Sequence, residues 1–147
     1  MADPSTDFGV DLSSIETRLA LLEYFTGVRD IQAGSQAISG DEPFVPPAAF
    51  VSVATENYEP NRLASGGHAQ QATIGISVLF CVPAQRADNG LGDEVEHARK
   101  LISAQLVGFT PDGALKPLDA FRYSVRLIDE GLIWGEWIFR TRFDLRA

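Results

Sequence analysis

Thr73-Ile-Gly-Ile-Ser-Val-Leu-Phe-Cys-Val82 is the stretch that decides how this chain reads. Ile74, Ile76, Val78, Phe80 and Val82 recur at every second position, and successive strand side chains point to opposite faces. β-branched and aromatic residues suit a pleated, half-buried surface, so the stretch predicts a strand. The alternate positions, Thr73, Gly75, Ser77, Leu79 and Cys81, turn apolar toward the end. That pattern suits a central strand whose second face is partly covered. Pro83 closes the run, because proline offers no N–H to a ladder.

On the N-terminal side, Ala48 to Glu56 predicts a second strand, with Ala49, Val51 and Val53 alternating against Phe50 and Ser52. Asn57 to Gln70 lies between the two strands and carries Pro60, Gly66 and Gly67. A long connection between consecutive strands implies an antiparallel pair with a projecting loop, mobile in the free protein and ordered by a partner near Arg62 and His68. Asp30 to Pro47 is punctured by glycine and proline and reads as an irregular crossing with at most a short strand. Further upstream, Ser13 and Glu16 have capping-box spacing. Ile15, Leu19, Leu22 and Phe25 form one apolar face, so a helix is expected from about Ser14 to Phe25, with Gly27 following its last turn. Residues 1–13 read as a flexible arm and 14–147 as a single domain.

On the C-terminal side, a helix is expected over Leu91 to Val107. Val95, Ala98, Ile102 and Leu106 form its apolar stripe, and Asp93, Glu94 and Glu96 sit in its first turns, where the helix dipole favours acids. Gly108 and Pro111 end it. The last segment predicts a hairpin, because Phe121, Tyr123, Val125 and Leu127 alternate in one arm and Trp137, Phe139, Thr141, Phe143 and Leu145 in the other. Apolar sets must face each other across the pair. A two-residue turn at Glu130-Gly131 gives the wrong parity, whereas a three-residue loop, Glu130 to Leu132, sets Val125 against Trp137 and Tyr123 against Phe139. That register also opposes Arg126 to Glu136 and Arg122 to Arg140. The expected architecture is α+β: one domain, a mixed, mostly antiparallel sheet of about four to five strands packed by two helices.

The whole chain has 147 residues and a net charge of −8. That length suits one domain burying roughly two-thirds of its unfolded surface. The acidic balance argues against a general nucleic-acid binder or an anionic membrane partner, both of which need clustered Lys and Arg. One cysteine excludes an internal disulfide framework. The first residues lack the basic start and apolar run of a signal peptide, and no apolar run reaches the ~20 residues of a membrane span. The expected compartment is the cytosol.

Residues that could carry chemistry are sparse. His68 and His97 are the two histidines. Asp93 and His97 have i, i+4 spacing, yet no third metal ligand accompanies them. Cys81 has no evident base beside it and reads as a small packed residue. Trp134 and Trp137 read as core or interface, and there is no phosphate loop, dinucleotide fingerprint or nucleophile elbow. An enzyme, a cofactor and a metal are therefore not expected. Arg122, Arg140 and Arg142 instead fall on one face of the hairpin. They are either a solvated face with local partners such as Glu136 and Asp144, or a contact with an acidic patch on a neighbouring copy, drawn from Asp93, Glu94 and Glu96.

With these elements in order, the chain resembles the tail-terminator proteins of Mu-like tailed bacteriophages and prophages. The likeness rests on Ile15-Glu16-Thr17-Arg18-Leu19, on Pro47 to Val53, on Ala72 to Val82, and on the closing aromatic strand Trp137 to Phe143. It is most specific in Leu106-Val107-Gly108-Phe109-Thr110-Pro111 followed by Ala114-Leu115-Lys116-Pro117-Leu118, although many relatives have tryptophan where Phe109 stands. The resemblance implies a structural virion protein that closes, usually as a hexameric ring, on the head-proximal end of the tail tube and stops its polymerisation. It further implies contacts with tail tube protein and with a head-completion or neck protein, and DNA passing through the lumen without specific binding. Another virion joint, such as a head–tail connector or tube subunit, and a small-molecule-binding α+β domain are the competing readings.

Overall fold

The computed structural model describes residues 9–30, 45–63, 69–83, 90–129 and 131–146. In chain order these form α1 (Leu12–Ala20), β1 (Gly27–Asp30), β2 (Ala48–Tyr58), β3 (Ala69–Pro83), α2 (Gly90–Leu106), β4 (Asp119–Asp129) and β5 (Leu132–Arg146). One five-stranded sheet runs β1-β2-β3-β5-β4. Only the β1–β2 pair is parallel. The α+β architecture expected from the sequence is the one found.

β3 is the middle strand, and every residue from Ile74 to Val82 is buried. Its even positions, with Ala49 and Val51 of β2 and Phe139 and Phe143 of β5, meet Ile15 and Leu19 of α1 and Val95, Ala98, Ile102 and Leu106 of α2. Both helices therefore lie on one face of the sheet. At one end of the opposite face Ala48, Phe50, Leu79, Cys81 and Trp134 form a second buried cluster, with Phe50 and Trp134 stacked at 6.0 Å. Burying a large side chain of this kind stabilises by ~1.5–3 kcal/mol. Toward its other end the same face turns polar.

Three expectations at the N-terminal end need correction. The helix cap is Asp11, not Ser13, and α1 starts at Leu12. The Asp11 carboxylate accepts from the Ser13 amide at 3.0 Å and its hydroxyl at 2.7 Å. A carboxylate is the stronger acceptor at the positive end of the helix, which fixes the start upstream of the capping-box spacing. The packed chain also begins before Ser14. Val10 is buried, and the Asp11 amide donates to the Asp112 carbonyl at 2.8 Å. At its other end α1 stops at Ala20, and Glu23 takes a positive φ of 55°. Gly27 thus opens β1 instead of closing the helix, while Phe25 still reaches the core from the turn.

The hairpin departs further. Asp129 pairs with Leu132, so the strands are joined by two residues and not by three. The parity problem is solved by a register shift between Val125 and Leu127, and a second shift, between Ala120 and Arg122, reverses the parity again at the start of β4. Arg126 and Phe121 become the extra residues of two bulges. Tyr123 now faces Trp137, Arg122 faces Ile138, and Asp119 faces Arg140. The expected opposition of Arg122 to Arg140 does not exist.

The connection between β2 and β3 is shorter than Asn57 to Gln70, because both strands extend into it. Its near end is clamped as well. The Glu59 amide donates to the Gln71 carbonyl at 2.9 Å, the Arg62 amide to the Ala69 carbonyl at 2.9 Å, and the Asn61 side chain accepts from the Ala69 amide at 2.8 Å. His68 lies outside the described residues.

Candidate interaction face

The polar half of the open sheet face is built by alternation. Gln71, Thr73 and Ser77 of β3 point the same way as Glu136, Arg140 and Arg142 of β5, because Thr73 pairs with Arg142 and Ser77 with Ile138 in an unbroken antiparallel register. The segment after α2 adds a rim. Gly108 and Phe109 bond to Leu118 at 3.0 and 2.8 Å, and the Leu115 amide donates to the Arg142 carbonyl at 2.7 Å. That last bond fixes Lys116 beside the part of β5 that β4 does not reach, and the Thr141 hydroxyl donates to the Lys116 carbonyl. A hollow of about 230 Å³ lies between Thr73, Arg140 and Arg142 on the sheet and Lys116, Pro117 and Asp119 on the rim.

The charges here fall into two groups. Glu59 binds two arginines, Arg62 at 3.1 Å and Arg142 at 3.3 Å, and Arg142 also donates to the Gln71 side chain at 3.3 Å. Arg140 behaves differently. Its guanidinium lies 3.7 Å from the centre of the Phe121 ring, with Arg122 at 5.5 Å from the same ring. Among the described residues neither Arg140 nor Arg122 has a carboxylate within ion-pair distance. Arg126 approaches Glu136 at 3.8 Å, and the other Glu136 oxygen accepts from Ser77 at 2.7 Å.

The acids expected to meet these arginines lie elsewhere. Glu94 and Glu96 are carried by α2, on the helical side of the sheet. Glu94 accepts from the Tyr24 hydroxyl at 3.0 Å, and burial together with this bond pushes the Tyr24 pKa up. Glu96 is mostly exposed and pairs weakly with Arg99 at 3.4 Å. Arg99 itself lies over the Tyr123 and Trp137 rings, at 4.0 and 4.8 Å. The side chain of Asp93 lies outside the described residues. One copy thus brings Arg140, Arg142 and Arg62 onto one surface and leaves Glu94 and Glu96 on the other. Lys116, Asp119, Glu59 and Phe121 complete the basic surface. Sequence reasoning did not single them out, because the bulge at Phe121 and the ladder past Tyr58 decide their positions.

Chemistry of the catalytic kind has little footing among the described residues. Cys81 is fully buried, and burial pushes its thiol up to about 12, far from a thiolate at neutral pH. His97 stands edge-on to Tyr24 at 5.3 Å. Among the described residues no group of three or more His, Cys, Asp or Glu could hold a metal ion, and no helix is long and apolar enough to cross a membrane. What the face presents is a set of arginines fixed on a sheet, of which Arg62 and Arg142 are neutralised by Glu59 and Arg140, among the described residues, is not.

Comparison with known proteins agrees with that character. No curated protein matches this sequence. Among solved structures, a chain from the virion of a native gene transfer agent particle has the same fold, with a TM-score of 0.56 and 17% identity over 92% of this chain and 96% of that one. The sequence model for phage tail terminator proteins matches residues 8–147, which takes in every described element. That match spans nearly the whole chain, and the chain belongs to the phage tail terminator family.

Proposed function

We propose that this protein ends the tail tube of a phage or phage-like particle. Copies close into a ring, hexameric as the family resemblance implies, on the head-proximal end of the tube. The ring stops further addition of tube protein and presents its other surface to a head-completion or neck protein. DNA passes through the lumen without specific binding, which the net charge of −8 favours by repelling phosphate. The role needs no catalysis, only surfaces.

The observation that carries this reading is the family match across residues 8–147. The virion particle that contains a chain of similar fold is compatible with it. Removing the protein from the particle's gene set should leave tails of irregular or excessive length that fail to join filled heads. Tails of normal length that still attach would sink the reading. Negative-stain microscopy of the purified protein supplies an independent check: closed rings are expected, and open-ended polymers would make it a tube subunit instead.

A further inference from the structure

Arg140 is held without being neutralised. Its flat face is used by the Phe121 ring at 3.7 Å, and cation–π stacking leaves the in-plane N–H donors of a guanidinium available. The hollow beside it is lined by Lys116, which also has no ion pair among the described residues, and by the Thr73 hydroxyl. Asp119 lines the same hollow and offsets part of the charge. Arg62 and Arg142, by contrast, are already engaged by Glu59. Arg122, at the same ring, is likewise without an ion pair among the described residues, but of the two only Arg140 lines the hollow.

The charges that line this hollow suit a single carboxylate, for which it has ample room. A DNA backbone would need a line of cations, and here Asp119 and Glu59 interrupt any such line. A chain of net charge −8 has carboxylates to spare. On α2, Glu94 is taken by Tyr24, whereas the Glu96 side chain is 61% exposed and its Arg99 partner is an exposed i, i+3 contact of little worth. The hollow and Glu96 lie on opposite layers of the domain, so they can meet only between copies, head to tail.

We propose that the Arg140–Lys116 hollow receives the Glu96 carboxylate of a second copy of this chain, joining sheet face to helix layer around an assembly. This contact rests on the reading that the protein assembles with itself. Sedimentation of the full chain across a salt series, with circular dichroism to check folding, tests it in four samples: wild type, Arg140→Glu, Glu96→Arg, and the two variants mixed in equal amounts. Wild type should associate at low salt and dissociate as salt rises. Each variant alone should need about tenfold more protein to associate. The mixture should recover, because swapped charges face each other across one contact and native charges across the next. Association of Arg140→Glu equal to that of wild type overturns the contact, as does a mixture no better than its parts. A wild type that stays monomeric at every salt concentration overturns both the contact and the ring. Rings that form regardless of Arg140 overturn the contact alone, and Arg140-dependent binding of short duplex DNA without self-association assigns the hollow to phosphate instead.

Discussion

Replacing Gly135 by alanine should destabilise the domain by about 1–3 kcal/mol, the usual range for forcing a methyl group into a packed core. Gly135 lies on β5 opposite Phe80 of β3, on the face covered by the helices. An added Cβ would stand 2.9 Å from the Phe80 ring tip and 2.9 Å from the Tyr123 hydroxyl oxygen. Comfortable carbon contacts begin at ~3.5 Å, so at least one ring must move by roughly half an ångström. Neither has room. Phe80 is fully buried, the two rings stack at 6.1 Å, and Arg99 covers Tyr123 at 4.0 Å. For a chain of this size each kcal/mol shifts the melting temperature by ~2–4 °C, which gives a fall of about 2–12 °C. Urea and thermal unfolding read the change, with the urea slope unaltered if only the native state suffers. Phe80→Leu in the Gly135→Ala background should recover part of the loss, a favourable coupling in the double-mutant cycle. A Gly135→Ala protein within ~0.5 kcal/mol of wild type would refute the claim that this glycine makes room for the two rings.

Cys81 should resist thiol reagents at pH 8 in the native protein and react at the rate of unfolding, since it is both buried and held protonated. Its unfolded thiol ionises near 9.0 and its folded one near 12, so its contribution to stability is complete below pH 9 and is lost as pH rises toward 12; Cys81→Ala should flatten that slope in alkaline melts. Tyr24→Phe should cost about 1 kcal/mol in urea unfolding through the lost bond to Glu94, and no loss at all would show that the bond is idle. Hydrogen exchange should find the Glu59, Arg62 and Ala69 amides slowed in the free protein, against the sequence expectation of a mobile loop from Asn57 to Gln70; exchange at random-coil rates would refute the clamp.

The strand from Thr73 to Val82 and the stripe Val95, Ala98, Ile102, Leu106 were legible because burial writes a periodicity into the sequence, and both sit where that periodicity puts them. The ends of α1 were not, since Ser13 and Asp11 are both good caps and Asp112, far along the chain, helps to fix the entry. β1 spans only Gly27 to Asp30, too short to show a period. The hairpin register failed for a definite reason. Parity arguments assume an unbroken ladder, and the bulge at Arg126 lets a tight turn coexist with Tyr123 facing Trp137. At the candidate face, the cluster of arginines could be read from alternation. Which arginine is neutralised could not, because Glu59 reaches Arg142 only once β2 and β5 flank β3.

Those same bulges bear on how the molecule behaves in a crowd. β4 is one of the two outer strands of the sheet, and an outer strand carries a row of backbone amides and carbonyls that can recruit the strand of a neighbour without limit. Here the row is broken after Ala120 and again after Val125, so its longest regular run is Arg122–Val125. A neighbouring strand would lose register within a few residues. Fibre-like growth along this edge is therefore discouraged by the backbone itself, and the ring proposed above would have to be joined through side-chain surfaces instead of a shared ladder here.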